Sequence, residues 1–302
     1  MMNRKFSHHC CLFFTVFLIG IQTAAAAPIT FNTALPVARD EKIVRVQAKI
    51  LRSTDDPSSA DRDLTIQALP LVAAYGVTGK LALFAILPVL DKEMEVNTAF
   101  GRLHRQDSGL GDFTAMARYT FWKKDLPGKT MRLAPFAALK MPTGDDDETD
   151  SAGRLPQPLQ LGSGSWDYSL GLVLTRQTLA RQVDAAISYT LNSEANSFEF
   201  GDAARLDLSY QHRLWPRELT SGLPAFIYGV LESNLMWQDK NKSSGTDDDN
   251  SGGVTWHLAP GIQYVTRRTV TEFAIQIPVV QDLNGTALEN DFIGTLSFRM
   301  KF

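Results

Sequence analysis

The chain closes on Phe292-Ile293-Gly294-Thr295-Leu296-Ser297-Phe298-Arg299-Met300-Lys301-Phe302, and the reading of this stretch decides the fold. At a period of two, Phe292, Leu296, Phe298, Met300 and Phe302 share one face, broken by Gly294, while Thr295, Ser297, Arg299 and Lys301 share the other. This is a strand, apolar on one side and wet on the other. Soluble chains often fray into polar residues at their ends, whereas this one stops on an aromatic ring, so its last residue is expected to be anchored. Taken alone, the segment also suits the last strand of a soluble β-sandwich.

Composition narrows the choice. Of 302 residues, 44% are hydrophobic, and mean hydropathy is slightly negative, which excludes a bundle of membrane helices. Beyond the N-terminus no apolar run approaches the roughly 20 residues a spanning helix needs, so any membrane embedding must use strands. Arg4 and Lys5, an apolar core from Cys11 to Ile21 and the small-residue run Ala24 to Ala27 predict a secretory signal peptide over residues 1–26. A cut after Ala27 would put Pro28 at the scissile bond, so cleavage is placed after Ala26. Cys10 and Cys11 lie at the front of the apolar core, whereas a lipoprotein's acylated cysteine follows it, which argues against lipidation, and both are expected to leave with the signal. An exported chain without cysteine relies on strand pairing and packing. Loss of Arg4 and Lys5 leaves 28 basic residues against 33 acidic ones, a charge of about −5 that does not attract nucleic acid.

Residues 27–41 show no clear period and are expected to be a periplasmic leader that folds back toward a barrel mouth. Residues 42–302 then read as about twelve strands. Val44, Val46, Ala48 and Ile50 oppose Arg45, Gln47 and Lys49. Gly76-Val77-Thr78-Gly79 predicts a tight hairpin between two apolar runs, where even the inward positions Phe84 and Ile86 are apolar. Asp91 to Gly109 is expected to be a long connection and Trp122 to Lys129 a short turn; the face presented by Pro224 to Met236 is ambiguous. Connections alternate between longer polar ones and shorter ones, as extracellular loops and periplasmic turns do. The expected fold is therefore all-β, a transmembrane antiparallel β-barrel in the outer membrane, with Phe298, Met300 and Phe302 as its assembly signal. Aromatic residues near strand ends (Tyr75, Tyr119, Trp122, Trp166, Trp215, Trp237) fit interfacial girdles.

Closure requires the last strand to pair with the first. The expected lumen-lining residues are Arg45, Lys49, Arg118, Arg132, Lys140, Arg205, Arg213, Arg299 and Lys301, with Asp167, Asp184, Asp207 and Glu272 as partial compensation. Expected partners are outer-membrane lipid and lipopolysaccharide, the barrel-assembly machinery and a small-molecule solute; no cofactor is expected.

Four phrases carry a resemblance. Tyr75-Gly76-Val77-Thr78-Gly79-Lys80-Leu81 with Leu87-Pro88, then Gly109-Leu110-Gly111-Asp112, Lys140-Met141-Pro142-Thr143-Gly144-Asp145 and Leu161-Gly162-Ser163-Gly164 follow one another in an order that resembles the outer-membrane family named for the meta-pathway of phenol degradation. The resemblance covers roughly Tyr75 to Phe302. It implies an outer-membrane transporter passing aromatic compounds, and no catalytic residues; the excess of inward bases over inward acids adds an expected preference for small anionic compounds.

A structural or adhesive barrel and an outer-membrane hydrolase are the competing functions. His104 reads as a loop residue and His212 as a surface histidine near a strand end. His257 is expected to point inward, two residues from Thr255, without a serine and acid placed to complete a nucleophile-base set. No histidine pair has metal-ligand spacing. The runs Asp145–Asp150 and Asp247–Asp249 lack the ordered oxygen spacing of a calcium loop and read as solvated.

Overall fold

A computed structural model of the chain describes residues 26–218 and 225–302; the signal peptide expected over residues 1–26, with the two cysteines, lies outside them, except Ala26. Among the described residues twelve staves form one antiparallel sheet. They are β1 (Lys42–Ser53), β2 (Asp63–Gly76), β3 (Leu81–Thr98), β4, β5 (Lys129–Met141), β6 (Asp167–Thr178), β7 (Arg181–Leu191), β8 (Ala203–Trp215), β9 (Ala225–Gln238), β10 (Gly253–Thr266), β11 (Thr269–Leu283) and β12 (Phe292–Lys301). The β4 stave is assembled from three pieces, Gly101–Leu110, Phe113–Tyr119 and Trp122–Leu126.

The seam joins β1 to β12 from Ile43 opposite Lys301 to Arg52 opposite Phe292. Phe302 extends it, its N–H donating to Lys42 O at 2.8 Å. The sheet closes because strand edges cannot be solvated in hydrocarbon, where each unpaired backbone group costs several kcal/mol. Outward positions carry exposed Leu170, Ile187, Leu231, Ile262, Phe273 and Leu296. On a water-facing surface such a band would be an aggregation hazard; against lipid it is the favourable face. Tyr75, Tyr119, Trp215 and Tyr264 ring the end with short turns, and Trp166, Tyr168, Trp237 and Trp256 ring the other, all exposed. Short turns are periplasmic and long loops extracellular in such barrels.

Three details depart from expectation. Asp91 to Gly109 is no loop: β3 runs on to Thr98 and the first piece of β4 returns beside it, Val89 opposite Leu110 through Thr98 opposite Gly101. Both faces of this extension are polar because it projects past the bilayer, so the alternation that marks a strand is absent. Ionic rungs support it instead: Arg102 Nε meets Glu95 at 2.7 Å, and Arg102 also pairs with Asp61 and Asp63. Trp122–Leu126 is likewise a ladder against β5, turning at Gly128 with φ 69°. In β9, Val230, Glu232 and Asn234 are buried while Leu231 and Leu235 are exposed, which settles its face.

Because Phe302 is the last rung of the seam, its deletion, or Phe302→Asp, is expected to lower the fraction of heat-modifiable folded barrel in outer membranes several-fold and leave chain in the periplasm. Gel mobility with and without heating measures this, and unchanged folding would exclude Phe302 as an assembly signal.

Candidate functional site

The lumen is occupied by the chain's own N-terminal segment. Ala26 packs on Val265 and Val270 beside the β10–β11 turn, and Val37 packs on Ala74 and Ala82 beside the β2–β3 turn. Between these anchors the chain climbs into the barrel and returns, so residues 26–38 form a re-entrant loop from the periplasmic side. Irregular backbone survives at membrane depth only when protein or water satisfies its polar groups. Here the wall does so. Glu232 accepts from Ile29 N at 2.7 Å, Thr30 N at 2.9 Å and Thr30 Oγ1 at 2.6 Å. Thr175 Oγ1 accepts from Ala34 N at 2.7 Å and donates to Asp184 at 2.5 Å, and Thr33 Oγ1 donates to Asp184 at 3.0 Å. Cations take the carbonyls: Arg45 donates to Ile29 O at 2.7 Å, and Arg118 donates to Thr33 O at 2.5 Å and Leu35 O at 2.7 Å. Glu232 and the Thr175 hydroxyl thus hold the loop's N–H groups, while Arg45, Arg118 and Gln263 take C=O groups. The greasy inward position Phe84 lies 4.9 Å beneath the Arg118 guanidinium and packs near Val37.

A second obstruction comes from the extracellular side. In the loop between β5 and β6, Leu155 and Leu159 pack on Leu64 and Met94 of β2 and β3, and Gln160 and Leu161 are buried. Three of the phrases singled out from sequence converge at its base. Asp112 Oδ1 accepts from Thr143 N and Gly144 N at 3.1 and 3.0 Å, and its Oδ2 from Ser163 N at 3.0 Å. Lys140 lies 3.5 Å from Asp112 and pairs with Asp167, which also accepts from Ser165 Oγ at 2.8 Å. A Cβ on Gly162 would meet Gly144 O at 2.3 Å, so the backbones touch where these phrases meet. The succession of motifs therefore marks a junction that pins the extracellular loop to the wall.

The thirteen expected lining residues divide by height. Arg45, Arg118, Arg132, Arg213, Arg299 and Lys301 line a periplasmic vestibule of about 870 Å³, whose other wall is the N-terminal loop. Lys129 and Arg268 join them, against Glu41 and Asp125 as the acids. Arg132 pairs with Asp125 at 2.5 Å, Lys301 with Glu41 at 2.6 Å and Arg45 with buried Glu272 at 2.5 Å. Arg213 donates to Leu179 O at 2.9 Å and stacks 5.9 Å from the Phe226 ring. At mid-height Asp184 serves the N-terminal loop, Arg205 pairs with Asp207 at 3.3 Å, and Asn234 donates to Asp207 at 2.7 Å. Lys49 lies within the field of Arg45, Arg205 and Glu232. Lys140 and Asp167 stand apart in the extracellular junction. The sequence reading missed Glu232, Asn234, Thr175 and Gln263, which hold the loop or its neighbours. For Glu232 and Asn234 the signal was an acid and an amide at i and i+2 inside the largely apolar β9.

His257 points into the barrel without an acid beside it among the described residues. Its buried Nε2 and the Thr255 hydroxyl lack hydrogen-bond partners among the described residues, and the charged group nearest it in effect is Arg205, a cation. His212 stacks on Tyr210, with ring centroids 6.3 Å apart. His104 sits in the projecting hairpin 3.9 Å from Glu95. Among the described residues no cluster of His, Cys, Asp and Glu could hold a metal. The acidic loops answer to arginine and lysine: Asp150 to Arg105 at 2.7 Å and Asp249 to Lys240 at 2.5 Å.

An antiparallel barrel that is apolar outside and polar and threaded within is an outer-membrane β-barrel. Residues 63–276 match the model of the family described as "Putative MetA-pathway of phenol degradation", and the chain belongs to that family. Among solved structures, an outer membrane channel from Pseudomonas putida F1 superposes with a TM-score of 0.67 at 17% identity, covering 92% of this chain and 100% of that one. The β domain of the Bordetella autotransporter BrkA and the monoaromatic hydrocarbon channel CymD give TM-scores of 0.43 and 0.40, at 9% and 10% identity, too low to carry an argument. They cover 86% and 87% of this chain and 99% and 89% of theirs. No curated protein matches the chain.

Hydrogen bonds to a charged group contribute about 1.5–3 kcal/mol each. Glu232→Ala is therefore expected to speed amide exchange of Ile29 and Thr30 roughly 10- to 100-fold, by about 1.4 kcal/mol per factor of ten, while β10 amides stay protected; mass-spectrometric hydrogen exchange on refolded barrel measures it. Gly162→Ala must displace Gly144 and is expected to raise proteolysis of the 142–166 loop without unfolding the barrel.

Proposed function

We propose that the protein is a gated outer-membrane channel for small anionic solutes, phenolic and carboxylated aromatics among them. The observation that carries this reading is the distribution of charge about the N-terminal loop. Arg45, Arg118, Arg299 and Lys301 face the vestibule beneath the loop, and Lys49 and Arg205 lie near its apex. Charged lumen residues act as selectivity elements, and fixed cations raise the local concentration of anions. A solute path through twelve strands is narrow, since eight strands fill with side chains and sixteen leave an aqueous channel. With residues 26–38 seated, the path is closed at mid-height, so passage requires the loop to shift. Its ties make this feasible: they are hydrogen bonds to side chains, which displaced loop groups exchange for water. The Pseudomonas putida outer membrane channel of similar fold supports passage, and the family's phenol-degradation title supports small, aromatic cargo. Partnership with the barrel-assembly machinery and lipopolysaccharide accompanies this reading, as does export by a cleaved signal peptide.

Planar-bilayer recording and proteoliposome swelling test it. The intact barrel is expected to show small, intermittent conductance whose reversal potential in a KCl gradient reports chloride preference. Deletion of residues 28–36 should raise conductance at least several-fold, and Arg45→Glu combined with Arg299→Glu should abolish or reverse the preference. A deletion variant that folds yet neither conducts nor passes benzoate-sized anions would overturn the channel reading and leave a structural barrel. Lipid hydrolysis lost on His257→Ala would establish the hydrolase instead.

A further inference from the structure

The outer wall carries a second, differently built cavity of about 870 Å³. Strand register shows its origin. One row of outward positions runs Val44, Ala73, Ala85, Ala115, Leu139 and Tyr168 across β1 to β6, each residue opposite the next. The adjacent row runs Lys42, Tyr75, Leu83, Ala117, Ala137 and Leu170. Five alanines thus tile the centre of a wall whose outward positions elsewhere hold Leu, Ile, Tyr and Phe, and the larger residues at the two ends rise as banks. Six staves span five spacings of about 4.8 Å, about 24 Å from bank to bank, of which the alanine floor from β2 to β5 takes about 14 Å. One leaflet of the hydrocarbon core is about 15 Å thick. A whole acyl chain fits along the trough.

The trough has a charged end. Lys42, at the first position of β1, is exposed and lines it. Arg39 and Lys80 sit on the same periplasmic rim, Arg39 on the segment leading into β1 and Lys80 in the turn after β2. The acid among them, Asp40, is engaged by the Tyr75 hydroxyl at 2.8 Å and by Arg39 at 3.6 Å. Basic residues at the membrane surface attract anionic lipid headgroups.

We propose that this trough is a binding site for one anionic phospholipid of the periplasmic leaflet, its phosphate at Lys42 and an acyl chain over Ala73, Ala85, Ala115, Ala117 and Ala137. The small residues remove the bulk that elsewhere keeps acyl chains at the tips of leucine side chains, so a seated chain touches backbone along its length. Dispersion contacts of that number are collectively large although each is small. Specificity for an anionic headgroup comes from the rim, and retention comes from the floor.

Native mass spectrometry of the refolded barrel, titrated with phosphatidylglycerol or phosphatidylcholine, tests the site. The wild-type chain is expected to retain one phosphatidylglycerol at detergent levels that strip phosphatidylcholine. Ala85→Leu with Ala115→Leu fills the floor and should lower retention of both lipids about 10-fold, with heat-modifiability confirming that the barrel is folded. Lys42→Gln, on an exposed rim position, should remove the preference for phosphatidylglycerol while leaving phosphatidylcholine retention unchanged. Equal retention by the filled variant, an unaltered preference in Lys42→Gln, or a mass of two chains without lipid would each overturn the proposal, the last assigning the trough to a second copy.

Discussion

Hydrocarbon offers a backbone no hydrogen bonds, and everything else in this molecule follows from meeting that constraint. A sheet satisfies its interior strands by pairing but always leaves two edges, and a bilayer makes those edges untenable. The β1–β12 seam removes them, ten rungs from Ile43 and Lys301 to Arg52 and Phe292. Once the sheet is closed, alternate side chains have no choice of environment. Leu296 and Phe298 go to lipid, while Ser297 and Thr295 are sealed inside.

Closure moves the difficulty inward. An enclosed polar face must find partners, and a buried charge without one is far more expensive than a buried hydroxyl. The barrel answers with a hydrogen-bonded network in which Glu272 joins Arg45, Ser297 and Gln263. It also recruits the N-terminal segment, whose backbone supplies both donors and acceptors. Several of the side chains that satisfy the wall, Arg45 and Gln263 among them, therefore also hold the loop.

The sequence was most legible where lipid imposes strict alternation. In β6, Tyr168, Leu170, Leu172 and Leu174 gave the face directly, and all four are exposed in the barrel. It was least legible where lipid is absent: the projecting hairpin of β3 and β4 is strand by geometry but polar on both faces, so no period of two distinguishes it from a loop. The inward charges of β1, β5, β8 and β12 could be named because neighbouring outward residues framed them. Glu232 escaped because β9 is apolar on parts of both faces, and its role depends on Ile29 and Thr30, about two hundred residues away. Partners at that separation leave no mark on local spacing. The glycine phrases were visible as a succession, yet their meeting at Asp112 is a fact of three dimensions, since each alone is only a turn.

The seam also sets the order of events during folding. It joins residues 43 and 301, the two ends of the barrel. Bringing such ends together costs about 3 kcal/mol more in loop-closure entropy than forming a ten-residue hairpin, by the logarithmic dependence on length. Hairpins such as β6–β7 can therefore form early and locally, while the cylinder exists only after the final strand has been exported. Residues 26–38 lie immediately before β1, and most of the side chains that hold them sit on later strands. This early segment is consequently among the last to be ordered, and until the cylinder closes it remains available to whatever escorts the unfolded chain.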